Sequence, residues 1–161
     1  MNGEETRNEV AINNEALTAA EVFEGNTAQL ISSDPSDDFI AQAENANVFG
    51  KQAEGLKQAV NKRLEITKYV AGNVELTDDE TGETFPALRV VLVTADGEVY
   101  STESKSAVRQ LGSFVNIMKR GGLTISKATP LPVRVTLNKT RNGFDALGLE
   151  LDTAKLRTYK K

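Results

Sequence analysis

The 161-residue sequence predicts an all-β domain with one helix, in the order strand, strand, strand, helix, strand, strand, behind an acidic, partly helical N-terminal extension. Three observations carry that expectation. From Lys62 onward, apolar and polar residues alternate in runs punctuated by Asp96-Gly97 and Asn142-Gly143, the pattern of strands joined by tight turns. One amphipathic stretch, over about residues 105–120, interrupts them. Charge divides unevenly: residues 1–50 hold ten acids and one base, a net of −9, while residues 51–161 hold 18 bases and 13 acids, a net of +5.

The extension, residues 1–50, has short helical signals. Asn14 and Thr18 are candidate caps, with Thr18-Ala19-Ala20-Glu21 reading as a capping box. Asp34-Pro35-Ser36-Asp37 offers a cap, a first-turn proline and an acid ahead of Phe39, Ile40 and Ala43. Each stretch is too short to be stable alone and needs a surface to hold it. Phe49, Ala53, Leu56 and Val60 then recur at helical spacing, although Gly50 and Gly55 interrupt that run.

Residues 51–155 are expected to form the folded domain, with 156–161 as a basic tail. Its first strand begins at Leu64 and Ile66 and extends past Gly72 through Val74 and Leu76. The polar loop Thr77–Glu83 leads into a second strand, Leu88–Thr94. A two-residue turn at Asp96-Gly97 pairs Val93 with Tyr100. That register sets Leu88, Val90, Leu92 and Val99 on one face, read as core, and Arg89, Val91, Val93 and Tyr100 on the other. Ser104 caps the helix, Val108, Leu111, Val115 and Met118 form its apolar stripe beside Ile117, and Gly121-Gly122 ends it. Leu123–Lys127 leads past Pro130 and Pro132 into Val133–Leu137, and Phe144–Leu151 is the last strand. Here a two-residue turn sets Leu147 and Leu149 against polar partners. A three-residue loop, Arg141-Asn142-Gly143, instead sets Leu137 opposite Leu147 and Val135 opposite Leu149 and is preferred. Lys139 and Arg141 then project from the tip.

This element order is that of a five-stranded OB-fold barrel, which buries one apolar sheet face by curling and plugs one end with the helix. Composition narrows the function classes. Cysteine and histidine are both absent, which removes disulfides, Cys/His zinc sites, thiol chemistry and imidazole acid–base catalysis. Ser101 and Ser104 near Lys105 lack the helical Ser-x-x-Lys spacing, and no phosphate-binding glycine loop opens a helix. The acids of Asp78–Glu83 lack the ligand spacing of an EF-hand loop. No enzyme, cofactor or metal is expected. With neither a membrane span nor a secretory start at Met1, the expectation is a cytoplasmic protein.

The run Thr94-Ala95-Asp96-Gly97-Glu98-Val99-Tyr100-Ser101, followed by Ser104-Lys105 and the amphipathic helix, resembles the single-stranded DNA-binding proteins of small protein-primed Bacillus phages, over about residues 64–151. The resemblance implies an OB-type protein that coats displaced template strands in replication, in the host cytoplasm, with Tyr100 facing bases and replication proteins as further partners. Relatives place other tyrosines where this chain has Val74 and Thr81; Tyr69 is the nearest substitute.

Sequence-independent binding of single strands needs cations along a groove for phosphates and flat rings for unstacked bases. The candidates for stacking are Tyr69, Phe85, Tyr100 and Phe144, and for phosphate Lys68, Arg89, Lys105, Lys139 and Arg141. For Tyr100 the alternative is core packing against Val91 and Val93, and for Phe85 and Phe144 it is ordinary hydrophobic packing. The acidic loop 77–83 argues against DNA on that side. A second function class stays open: an OB-type interaction or assembly module without nucleic acid, self-associating or binding a partner through the acidic extension.

Overall fold

The computed structural model describes residues 30–34, 38–139, 141, 143 and 145–159. The frame is set by β3 (Arg63–Thr77), fifteen residues that pair with two different neighbours on one edge. Its first four residues align with β6 (Leu131–Lys139), from Arg63↔Arg134 to Ile66↔Leu131. Further on, Val70 and Ala71 align with β1 (Ile31–Ser32). The other edge pairs with β4 (Thr84–Thr94) from Ile66 to Thr77. Between Ile66 and Lys68 the register slips by one residue, and the buried Thr67 hydroxyl donates to Val93 O at 3.2 Å. Such a bulge bends and twists the strand, so β3 belongs to both halves of a curled sheet. With β5 (Val99–Thr102), β7 (Asp145–Leu151) and the dipeptide β2 (Glu54–Gly55), the order is β2-β5-β4-β3-β6-β7, with β1 beside β3. The β2–β5 pair is parallel and the others antiparallel. The result is a mostly β, half-barrel sheet of OB-like kind. The five long strands stand in the expected order; the sixth and seventh are two-residue additions ahead of β3.

One hairpin register matches expectation and one does not. In β6–β7, Leu137 faces Leu147 and Val135 faces Leu149, and Gly143 has φ +85°. In β4–β5, Leu92, not Val93, faces Tyr100. A two-residue turn would require positive φ at both Asp96 and Gly97. Only Gly97 adopts it, at +86°, and Asp96 stays in the ordinary region. The loop is therefore Ala95-Asp96-Gly97, closed by Thr94 N–H to Glu98 O at 2.9 Å and by Glu98 N–H to Thr94 Oγ1 at 3.1 Å. A one-residue slip turns each β5 side chain to the other face. Tyr100 joins Val90 and Leu92 in the main core with Leu64, Ile66, Leu131, Val133 and Val135. Val99 joins Val91 and Val93 outside.

The outer face is covered as well. Helix α1 (Phe39–Phe49), capped by Asp38 and not by Asp34, lays Val48 and Phe49 on Val70 and Val91. Gly72 makes the seat: a Cβ there would stand 2.7 Å from Leu30 Cδ2 and 3.0 Å from Phe49 Cζ. The helical spacing of Phe49, Ala53, Leu56 and Val60 is not realised. Gly50 ends α1, β2 follows, and a 3-10 turn (Leu56–Ala59) drives Leu56 and Ala59 into the main core. Candidate caps Asn14 and Thr18, and Pro35–Asp37, lie outside the described residues.

Helix α2 (Lys105–Arg120) has the expected bounds and the expected Ser104 cap. Its buried residues are Ala107, Leu111, Val115 and Met118, with Val108 half-buried and Ile117 exposed. It also satisfies the free edge of β7. Leu149 N–H donates to Gln110 Oε1 at 2.7 Å, and Ser106 Oγ donates to Leu147 O at 2.6 Å. The expected extended run Leu123–Lys127 is irregular. A short α3 (Thr153–Arg157), capped by Asp152, ends the fold, with the Tyr159 hydroxyl donating to Pro130 O at 2.7 Å.

Candidate nucleic-acid interface

Tyr100 and Arg89, expected to share a face, lie on opposite faces. The Tyr100 ring is only 2 % exposed, sealed against Leu92 with β2 alongside, since Glu54 aligns with Tyr100. Its hydroxyl donates to Glu98 Oε1 at 3.2 Å. Burial, with the bond to the Glu98 carboxylate and its charge, pushes the phenol above its ordinary pKa, and nearby Lys62 offsets part of this. In this fold the ring is a core residue with no face open to a base. The adjoining cleft, about 520 Å³, is lined by Glu54 and Glu98 and by no cation, so it does not suit phosphate.

Tyr69 occupies the same rung on the other side of Leu92 and is half-buried against the main core. Burial raises its pKa also. Its backbone is clasped by Ser33, whose Oγ accepts the Tyr69 N–H at 3.1 Å. Phe85 is 44 % exposed near the start of β4, opposite Leu76 and on the same face as Ala87 and Arg89. Lys68 is half-buried on the outer face opposite Val93. Lys139 and Arg141 are exposed at the β6–β7 tip, with Lys139 Nζ 3.5 Å from Asp145. Phe144 lies outside the described residues.

Two of the expected residues, Arg89 and Lys105, come together around the start of α2 through Glu103. Arg89 Nε approaches Glu103 Oε2 at 2.6 Å. Glu103 in turn lines a cleft of about 310 Å³ between β4 and α2, with Lys105, Arg109, Ala87, Leu88 and Val108. The floor is aliphatic and the rim cationic, an arrangement that can take an apolar flat group while its attached anion stays at the edge. Phe85 stands two residues before Ala87 along β4. The β6–β7 tip begins close by, because Leu147, tied to Ser106, is two residues, or about 7 Å of strand, from Asp145.

Arg109 and the cleft were not identified from the sequence. The signal available was local: Lys105 and Arg109 lie one turn apart on a helix with no acid among its sixteen residues. The acidic loop between β3 and β4 folds on itself, Asp78 Oδ1 accepting the N–H groups of Glu80 and Thr81. Among the described residues no cluster of three or more potential metal ligands occurs, and no helix is long and apolar enough to cross a membrane.

Comparison with known proteins fits this geometry. The family model described as phage single-stranded DNA-binding protein matches residues 40–152, more than half of the chain, from the second residue of α1 to the cap of α3. No curated protein and no solved structure matches. A match of this extent shows the family, and the family implies single-stranded DNA as partner: the chain belongs to the Phi29-type phage single-stranded DNA-binding protein family.

Proposed function

We propose that the protein coats exposed template during phage DNA replication, stoichiometrically and without sequence preference, holding phosphates with cations and bases against apolar or aromatic surface. The observation that carries this reading is the cleft between β4 and α2, where Lys105 and Arg109 rim an aliphatic floor and Arg89 lies just behind Glu103. Arg141 and Lys139 extend the cationic surface at the neighbouring tip, and Lys68 is a further cation on the outer face. Of the candidate rings, Phe85 and Tyr69 have part of their surface open, and Phe144 is the remaining candidate. Each footprint of bound strand is withdrawn from hairpin and duplex equilibria by mass action. The protein acts in the host cytoplasm, and residues 51–155 form the binding unit, with 1–50 and 156–161 as appendages. Other replication proteins are its further partners.

The test is a titration of full-length protein with single-stranded homopolymers and duplex at several salt concentrations. Salt-sensitive preference for single strands is expected; indifference to both ligands would defeat the proposal.

One observation favours a second reading for the extension. Ile31, Phe39 and Ile40 are 62 %, 75 % and 50 % exposed around the docked α1, a surface suited to self-association. Sedimentation across a concentration series, comparing wild type with Phe39→Ser, tests it.

A further inference from the structure

Four of the five cations on the described strands, all but Lys68, are ion-paired. Arg63, Arg89, Arg134 and Lys139 each have a carboxylate oxygen within 3.5 Å. Helix α2 is different. It carries Lys105, Arg109, Lys119 and Arg120, all exposed, with no acid in the helix and no ion pair to any of the four among the described residues. At 100° per residue these four fall within an arc of about 100°, opposite the buried Ala107–Leu111–Met118 side. The arc otherwise holds only Gly112 and Asn116, with Ser113 just beside it, all three exposed and small or neutral. From Lys105 to Arg120 the axis runs about 22 Å. In a chain whose net charge is −4, an acid-free cationic face of this length is the exception.

We infer that the sugar–phosphate chain of single-stranded DNA runs along the outer face of α2, from the cleft at Lys105 and Arg109 to Arg120, and not across the face of the sheet. This deepens the single-strand reading and rests on it. The inner sheet face is filled by the core, and the outer face is covered at Val70, Val91 and Gly72 by Leu30, Val48 and Phe49. The helix offers phosphate two pairs of donors, Lys105 with Arg109 and Lys119 with Arg120, about 15 Å apart along the axis and with only Gly112 and Asn116 between them on the arc. The cleft at its first turn is where a base can leave this face, with the Arg109 guanidinium beside it as a planar cation.

The experiment compares the salt dependence of binding to a single-stranded homopolymer for wild type, Arg109→Gln, Arg120→Gln, and the control pair Arg63→Gln/Arg134→Gln on the β3–β6 surface. Removing one cation that neutralises a phosphate of a single strand flattens the slope of log affinity against log salt by about 0.7. That flattening is expected for each α2 variant and not for the control. In parallel, Ser113→Cys places a unique thiol in a chain with no cysteine; bound strand is expected to slow its alkylation. If wild type shows no salt-sensitive binding, the single-strand reading itself fails. If wild type binds but the α2 variants keep its slope, or the control flattens as much as they do, or the thiol stays unprotected, the α2 track alone is overturned.

Discussion

Replacing Tyr100 separates a ring that stacks on DNA from a ring that holds the core of the half-barrel. An aromatic side chain buries about 150–250 Å², worth about 4–6 kcal/mol at 25 cal/mol/Å²; because unfolded chains already bury part of that surface, the realised cost is lower. With the ring 2 % exposed, Tyr100→Ala is expected to destabilise by about 3–5 kcal/mol, the usual range for deleting a core aromatic. For a chain of this size that lowers Tm by on the order of 10 °C. Tyr100→Phe keeps the packing and loses one hydrogen bond, to Glu98, whose exposed carboxylate then turns to water. Its cost is about 1 kcal/mol. Thermal melts by circular dichroism give both numbers. Single-strand affinity is measured at a temperature where each variant is folded. The expected result is a large stability loss for Tyr100→Ala and unchanged affinity for folded Tyr100→Phe. A Tyr100→Ala protein that melts like wild type but binds single strands about 1–3 kcal/mol more weakly would show the ring at the surface and refute the reasoning.

Three other outcomes follow from the same packing. All three tyrosines of the chain, 69, 100 and 159, have phenols raised above 10.0, chiefly by burial; the folded state holds these protons more tightly than the unfolded one, so their contribution is complete below the unfolded value and lost as pH rises through the folded ones. Denaturant midpoints should hold up to about pH 10 and fall above it, with tyrosinate absorbance appearing together with unfolding. Gly72→Val sets a branched side chain where Leu30 and Phe49 lie; it is expected to cost about 2 kcal/mol of apolar packing and to expose residues 30–50 to limited proteolysis, whereas an unchanged digest would mean that the segment is not seated there. Gln110→Ala removes the acceptor for the Leu149 N–H, a loss of about 1–3 kcal/mol in which that amide exchanges its hydrogen faster.

The legible parts of the fold are those where only one register or boundary avoids a mismatch. At the β6–β7 hairpin the wrong loop length sets leucines against polar residues, so the pattern itself selects the right one. At β4–β5 the same logic has nothing to act on: Val91, Val93 and Val99 are apolar and form a second apolar cluster on the outer face, so either register looks acceptable. What decides is the backbone of Asp96, which escapes positive φ in a three-residue loop. That single residue moved Tyr100 from the expected binding face to the core. Helix α2 was readable because Ser104 and Gly121-Gly122 mark both ends. The early start of β4 was hidden by Thr84 and Pro86, which pair with Thr77 and Glu75 where β4 runs past the end of β5. The cleft could not be read at all, since it exists only where Ala87 and Leu88 meet Val108 and Arg109 across two elements.

Coating demands that affinity not depend on base identity, and the disposition of charge suits that demand. Ion-paired strand cations must exchange a carboxylate for a phosphate, so their net gain on binding is small. The α2 cations have no such carboxylate to give up among the described residues, and each replaces only condensed counterions and water. Binding driven by that release is indifferent to sequence and steep in salt. In the proposed coating mode, with Tyr100 in the core, aromatic stacking is left to partly exposed rings such as Phe85 and Tyr69. A half-barrel that buries Tyr100 in its own core can still coat DNA, provided that the strand is held mainly by its backbone; this is why the helix, and not the sheet, is the surface on which the salt slope should respond.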